Sequence, residues 1–283
     1  MSTVSERPAA TACRSAGPAV GLLLTEPARG LANLAALPLA APWLAFAPRG
    51  DGHGVLVLPG LLATDASTGV LRHFLRRLGY PARGWRLGRN IGPTTEVLDQ
   101  LPGMLSALAT DTGGPVSVVG WSLGGVYARE LARQQPGLVR QVITLGSPFG
   151  LTDPGQSHAH RVYQRRARLH ARGRVPSREQ IGLPIPVPST AVYSRRDGIV
   201  SWRACVEPES SHHQNVEVRC AHFGFGVDPA TLWLIADRLA SPAGAASRFR
   251  APAVLRALYP VRDPDDSWPA ATGAGAAGPP SDH

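Results

Sequence analysis

Ser122 stands in Gly120-Trp121-Ser122-Leu123-Gly124, a G-x-S-x-G string. Before it runs Val116–Val119, short, apolar and β-branched, which suits a buried strand. After it comes a helical run through Glu130. A sharp turn from strand to helix forces its central residue into a strained backbone and lifts that side chain above the sheet. Neighbours two positions away must then be small, so Gly120 and Gly124 flank the serine. At a helix N-terminus, free N–H groups and the helix dipole favour developing negative charge. The chemistry on offer is nucleophilic attack by a hydroxyl. A serine hydroxyl attacks poorly unless a base takes its proton, and the base needs an orienting acid.

Two later residues fit those roles. Asp197 lies in Ser194-Arg195-Arg196-Asp197-Gly198, directly after the strand-like TAVYS. His222 lies in Cys220-Ala221-His222-Phe223-Gly224, directly after NVEVRCA. Taken singly, Asp197 reads as a turn aspartate and His222 as a loop histidine like His212 or His213. Taken together, each of the three follows a predicted strand, in the order serine, acid, histidine. That joint placement is the strongest signal in the chain.

The elements that must position them alternate. Strands are predicted at Gly54–Pro59, Arg83–Leu87, Val116–Val119, Gln141–Leu145, Thr190–Ser194 and Asn215–Ala221. Between them lie helical patterns. Val70, Leu71, Phe74, Leu75 and Leu78 recur at helical spacing, Pro93–Thr110 starts with proline, and Asp228-Pro229 opens a helix to Leu239. Short strands alternating with helices call for an α/β fold: a doubly wound, mostly parallel sheet with helices on both faces. Ligands bind at the carboxyl ends of such strands, and Leu61, Asn90, Ser122 and Phe149 should share that rim.

Outside this rhythm, residues 1–18 read as a disordered lead rather than a signal peptide, for want of a basic segment before a long apolar core. Residues 19–48 are apolar and broken by Pro27, Pro38 and Pro42, which predicts two short helices. Their broad apolar faces would also suit a weak contact with a membrane surface. The main domain is expected over 49–240, with a lid insertion of one helix at 150–188 that carries an arginine run, most simply a solvated face. Residues 241–283 form an extension, disordered from 262.

Composition narrows the chemistry. The formal charge is +9, yet every one of the 29 basic residues is arginine, so the charge reflects residue bias rather than a nucleic-acid partner. Without lysine there is no P-loop lysine, no Schiff base and no Ser-Lys dyad. The three cysteines, Cys13, Cys205 and Cys220, form no C-x-x-C and predict neither a disulfide framework nor a metal site. Cys205 and Cys220 read more simply as two buried thiols than as a pair. No cofactor is expected.

GWSLGG, VLPGLL, SRRDGIV and AHFGFG together resemble the α/β-hydrolase superfamily, closest to its small bacterial lipase- and esterase-like members. The likeness covers Arg49 to Leu239. It implies a Ser122-Asp197-His222 triad and an oxyanion hole made by the N–H groups of Leu123 and Leu61. Many relatives carry His-Gly where this chain has Pro59-Gly60. The expected activity is cleavage of a small-molecule or lipid carboxylic ester, in the cytoplasm or at a membrane periphery. Apolar rim residues Leu62, Trp121, Phe149 and Phe223 would contact the substrate. Acyl transfer or thioester hydrolysis on the same fold, or a hydrolase-like binding protein without turnover, are the alternatives.

Overall fold

The computed structural model describes residues 17–171, 173–242 and 247–261. The predicted disorder of the lead and of the last residues lies outside the described residues, as does Cys13. The elements in chain order are α1 (Val20–Ala35), α2 (Leu37–Leu44), β1 (Val55–Leu58), α3 (Gly69–Arg77), β2 (Ala82–Gly84), α4 (Thr95–Thr112), β3 (Val116–Trp121), α5 (Leu123–Gln134), β4 (Val139–Leu145), α6 (His160–His170), α7 (Arg178–Gly182), β5 (Ser189–Tyr193), β6 (His213–Glu217) and α8 (Pro229–Leu239).

The strands form one six-stranded sheet in the order β2-β1-β3-β4-β5-β6, and every pairing is parallel. Strand residues alternate between its faces. Val55 and Val57 of β1 join Leu71 and Leu75 of α3 and Leu232 and Ile235 of α8 in one buried cluster. Leu56 and Leu58 join Leu101 and Leu105 of α4 and Leu131 of α5 in the other. Both faces are therefore covered, which is why the strands read as continuous apolar runs.

Some boundaries differ from the sequence reading, each for a local reason. The second strand stops at Gly84 rather than Leu87, because the Asp65 carboxylate accepts the N–H groups of Trp85 and Arg86 at 3.0 and 2.9 Å. Arg86 then turns to a φ of 55°. Helix α1 runs through Pro27 instead of breaking there, and the break falls at Ala36. Glu26, Arg29 and Asn33 tie α1 to the domain on both sides of that proline. The 150–188 insertion holds two helices, not one. The second, α7, is fixed by reciprocal Ser177–Gln180 capping bonds, an S-x-x-Q signature present in the sequence. Among the described residues no helix is long and apolar enough to cross a membrane.

Candidate functional site

Ser122 follows β3 immediately and has φ 53° and ψ −119°, the left-handed strain expected of an elbow. Crowding holds it there. A Cβ on Gly120 would sit 2.4 Å from the Gly124 carbonyl, and one on Gly60 would sit 3.1 Å from the Ser122 Cβ. The Ser122 N–H donates to the Leu145 carbonyl at 2.8 Å, tying the elbow to the end of β4.

Asp197 and His222 leave the ends of β5 and the β6 segment and meet. The His222 Nδ1 lies 2.6 Å from the Asp197 Oδ2, with both residues buried. The other carboxylate oxygen, Oδ1, accepts the N–H groups of Ile199 and Val200, each at 2.8 Å. Those two bonds orient the carboxylate and leave Oδ2 for the imidazole. With Asp197 ionised, Nδ1 carries the ring proton and Nε2 is left as an acceptor. Phe225 presents its ring to the imidazole edge-on at 6.1 Å and is fully buried.

A cavity of about 290 Å³ opens beside Ser122. Leu61, Val126, Phe149, Leu151, Tyr163 and Ile181 give it apolar walls, so it spans the elbow, the turn after β1 and the 150–188 insertion. Of the four expected substrate contacts, Phe149 lines it and the other three lie elsewhere. The Trp121 indole turns to the histidine loop and donates to the His222 carbonyl at 3.1 Å. Phe223 packs against Gly30 of α1, and Leu62, at φ 63°, is 45% exposed. Leu61 and Leu123 both border the cavity next to Ser122. As the first residue of α5, Leu123 has an N–H with no carbonyl one turn earlier to bond.

Three supports have no assigned role in the sequence reading, which placed Asn90 on the rim and no more. Asn90, fully buried, braces the turn bearing Leu61: its side chain donates to the Pro59 carbonyl at 2.8 Å, and its carbonyl accepts the Leu62 N–H at 2.6 Å. Arg129 and Glu207 form a buried ion pair at 2.7 Å, and the same guanidinium lies 4.0 Å over the Phe149 ring. Glu26 reaches the acid and histidine loops from α1. No periodicity marks such residues. Their only sequence signal is a lone polar group in an apolar or glycine-rich context.

A second constellation has the same groups but not the same access. His53 contacts Asp51 through Nδ1 and lies 2.8 Å from the Ser117 Oγ through Nε2. Ser117 is 0% exposed in the middle of the sheet. It sits on a strand, without an elbow to lift it out. Cys205 and Cys220 are separate thiols, and burial pushes the ionisation of both well up.

No family model matches the chain, and no curated protein does either. Solved structures do. Lipase B of Aspergillus fumigatus is 16% identical with a TM-score of 0.50, over 70% of this chain and 55% of that one. MGS-MChE2, an α/β hydrolase enzyme from a lagoon-sediment metagenome, is 15% identical with a TM-score of 0.46, over 67% and 91%. The monoacylglycerol lipase of Paleococcus ferrophilus is 14% identical with a TM-score of 0.46, over 69% and 96%. The chain has the α/β-hydrolase fold.

Proposed function

We propose that this chain, built on that fold, is a serine hydrolase that cleaves carboxylic esters through an acyl-enzyme. The observation that carries the reading is the strained Ser122 at the wall of an apolar cavity, with the buried Asp197–His222 pair at the neighbouring strand ends. In this reading His222 Nε2 takes the Ser122 proton while Asp197 holds Nδ1. The Ser122 Oγ attacks the ester carbonyl. The oxyanion is met by the Leu123 and Leu61 N–H groups, and His222 returns its proton to the departing alcohol. Water then repeats the sequence and releases the acid. The hydrolase domain is residues 49–240, and the substrate is a small-molecule or lipid ester whose acyl part fills the cavity beside Phe149.

Labelling of Ser122 by a fluorophosphonate, with a chain-length series of nitrophenyl esters, tests this directly. Turnover that peaks at one acyl length fits a cavity of bounded size. A protein that neither labels nor turns over is a binding protein, and the proposal fails.

The acid has its own test. Asp197→Asn is expected to lower turnover by about 10²- to 10⁴-fold, because the amide lets the imidazole take the wrong tautomer. Asp153→Asn, in the insertion, should change it little. Asp153 accepts from the Gly155 N–H and caps a short turn. Equal losses in the two variants would remove Asp197 from the mechanism.

A further inference from the structure

Helix α1 turns Glu26, Arg29 and Asn33 inward. Val20, Leu24, Leu31 and Leu34 are exposed, whereas Glu26 is 1% exposed. Glu26, Arg29 and Asn33 follow at three- and four-residue spacing, so they form one stripe. An ordinary surface helix does the reverse.

The stripe faces two loops. Glu26 Oε1 accepts the Gly198 N–H at 2.6 Å and the Arg29 guanidinium at 2.9 Å, and Oε2 accepts the Phe223 N–H at 3.4 Å. Arg29 also donates to the Arg196 carbonyl. Asn33 accepts the Ala221 N–H at 3.2 Å and donates to the Asp228 carboxylate at 3.1 Å. Arg196 and Gly198 flank Asp197; Ala221 and Phe223 flank His222. The helix therefore grips the backbone on both sides of both residues. The fit leaves no slack: a Cβ on Gly198 would lie 2.5 Å from the Leu22 carbonyl.

The grip falls at the margin of the sheet. β6 is an edge strand, hydrogen-bonded to a neighbour on one side only, and the histidine loop leaves it at that edge. On the inner side, the Ser194 hydroxyl donates to the Cys220 carbonyl at 2.6 Å and the Trp121 indole to the His222 carbonyl at 3.1 Å; α1 adds the tie on the other side. Glu26 spans the two through one carboxylate.

We propose that Glu26 is a positioning residue and α1 a clamp that sets the spacing of the Asp197 turn and the His222 loop. The inference rests on the reading of Asp197 and His222 as acid and base. It assigns to the N-terminal helix a part in the reaction although no side chain of α1 lines the cavity.

The test uses the full chain with Glu26→Ala, Glu26→Gln and, on the outer face of the same helix, Leu24→Ser. A nitrophenyl ester gives kcat and KM, fluorophosphonate labelling gives the reactivity of Ser122, and hydrogen exchange follows residues 194–200 and 220–226. A displacement on the ångström scale at the base predicts a kcat about 10²-fold lower for Glu26→Ala, with KM within about twofold of the parent. Labelling should slow in step with kcat. Exchange should quicken in the two loops and not in β1 or β3. Glu26→Gln keeps one acceptor oxygen, so roughly tenfold of the kcat loss should return. Leu24→Ser should match the parent.

An unchanged kcat in Glu26→Ala overturns the proposal. So does a loss that appears equally in KM, or faster exchange spread over the whole sheet, which would make Glu26 a stabilising residue only. If the parent itself neither hydrolyses nor labels, the hydrolase reading fails separately. The exchange of the two loops then still decides whether α1 clamps them.

Discussion

On the proposed mechanism, Ser122→Ala is expected to lower ester hydrolysis by about 10⁴-fold or more, because it removes the covalent nucleophile. The change is otherwise small. The Cβ that sits close to Gly60 is kept, and so is the backbone bond from the Ser122 N–H to the Leu145 carbonyl. The melting transition should therefore stay in place while activity and fluorophosphonate labelling both vanish. Ser117→Ala is the matched control. It removes a serine whose Oγ lies 2.8 Å from the His53 Nε2, but one closed inside the sheet. Turnover should survive it. Substantial turnover in purified Ser122→Ala, or its loss in Ser117→Ala at unchanged fold, would assign the nucleophile elsewhere.

His222→Ala is the second large effect, and pH gives it a distinct signature. On the proposed mechanism the base must be neutral to accept the serine proton, so the parent rate should rise with pH. Removing the imidazole should remove this rising limb together with most of the activity. Two other histidines provide the contrast. His213 begins β6 at the opposite end of the sheet, where its Nε2 meets the Ile185 carbonyl at 3.1 Å, and His212 precedes it. Their alanine variants should keep both the activity and the limb. A His213→Ala variant as inactive as His222→Ala would sink the assignment of the base.

The sequence disclosed the parts of this protein that obey short-range rules. Val116–Trp121 followed by glycines had to be a strand and a tight turn, whatever surrounded it. Asp197 and His222 were legible because each follows a strand, and a parallel sheet gathers strand ends onto one rim. Side-chain direction was not legible. Trp121 and Phe149 looked alike as apolar rim residues, yet the indole finds a hydrogen-bond acceptor at the His222 carbonyl while the phenyl ring faces the cavity. That choice depends on partners about a hundred residues away. Glu26 was hidden for the same reason. In Val20–Phe46 it is the one acidic residue. Only the packed structure reveals that a buried carboxylate is answered by two backbone N–H groups from distant loops.

The hold of α1 on those loops also orders events in time. Its bonds to Gly198 and Phe223 span 172 and 197 residues. The strand pairings among β1 to β4 join much nearer parts of the chain. Closing such long loops is entropically costly and is repaid only when both ends are already shaped. A chain made from its N-terminus therefore carries α1 with its polar stripe unmatched until nearly all of the sheet has been synthesised. A helix made early thus completes these contacts late, and a nascent chain that ends before Phe223 holds Ser122 and Asp197 without the α1 contact that spans the two loops.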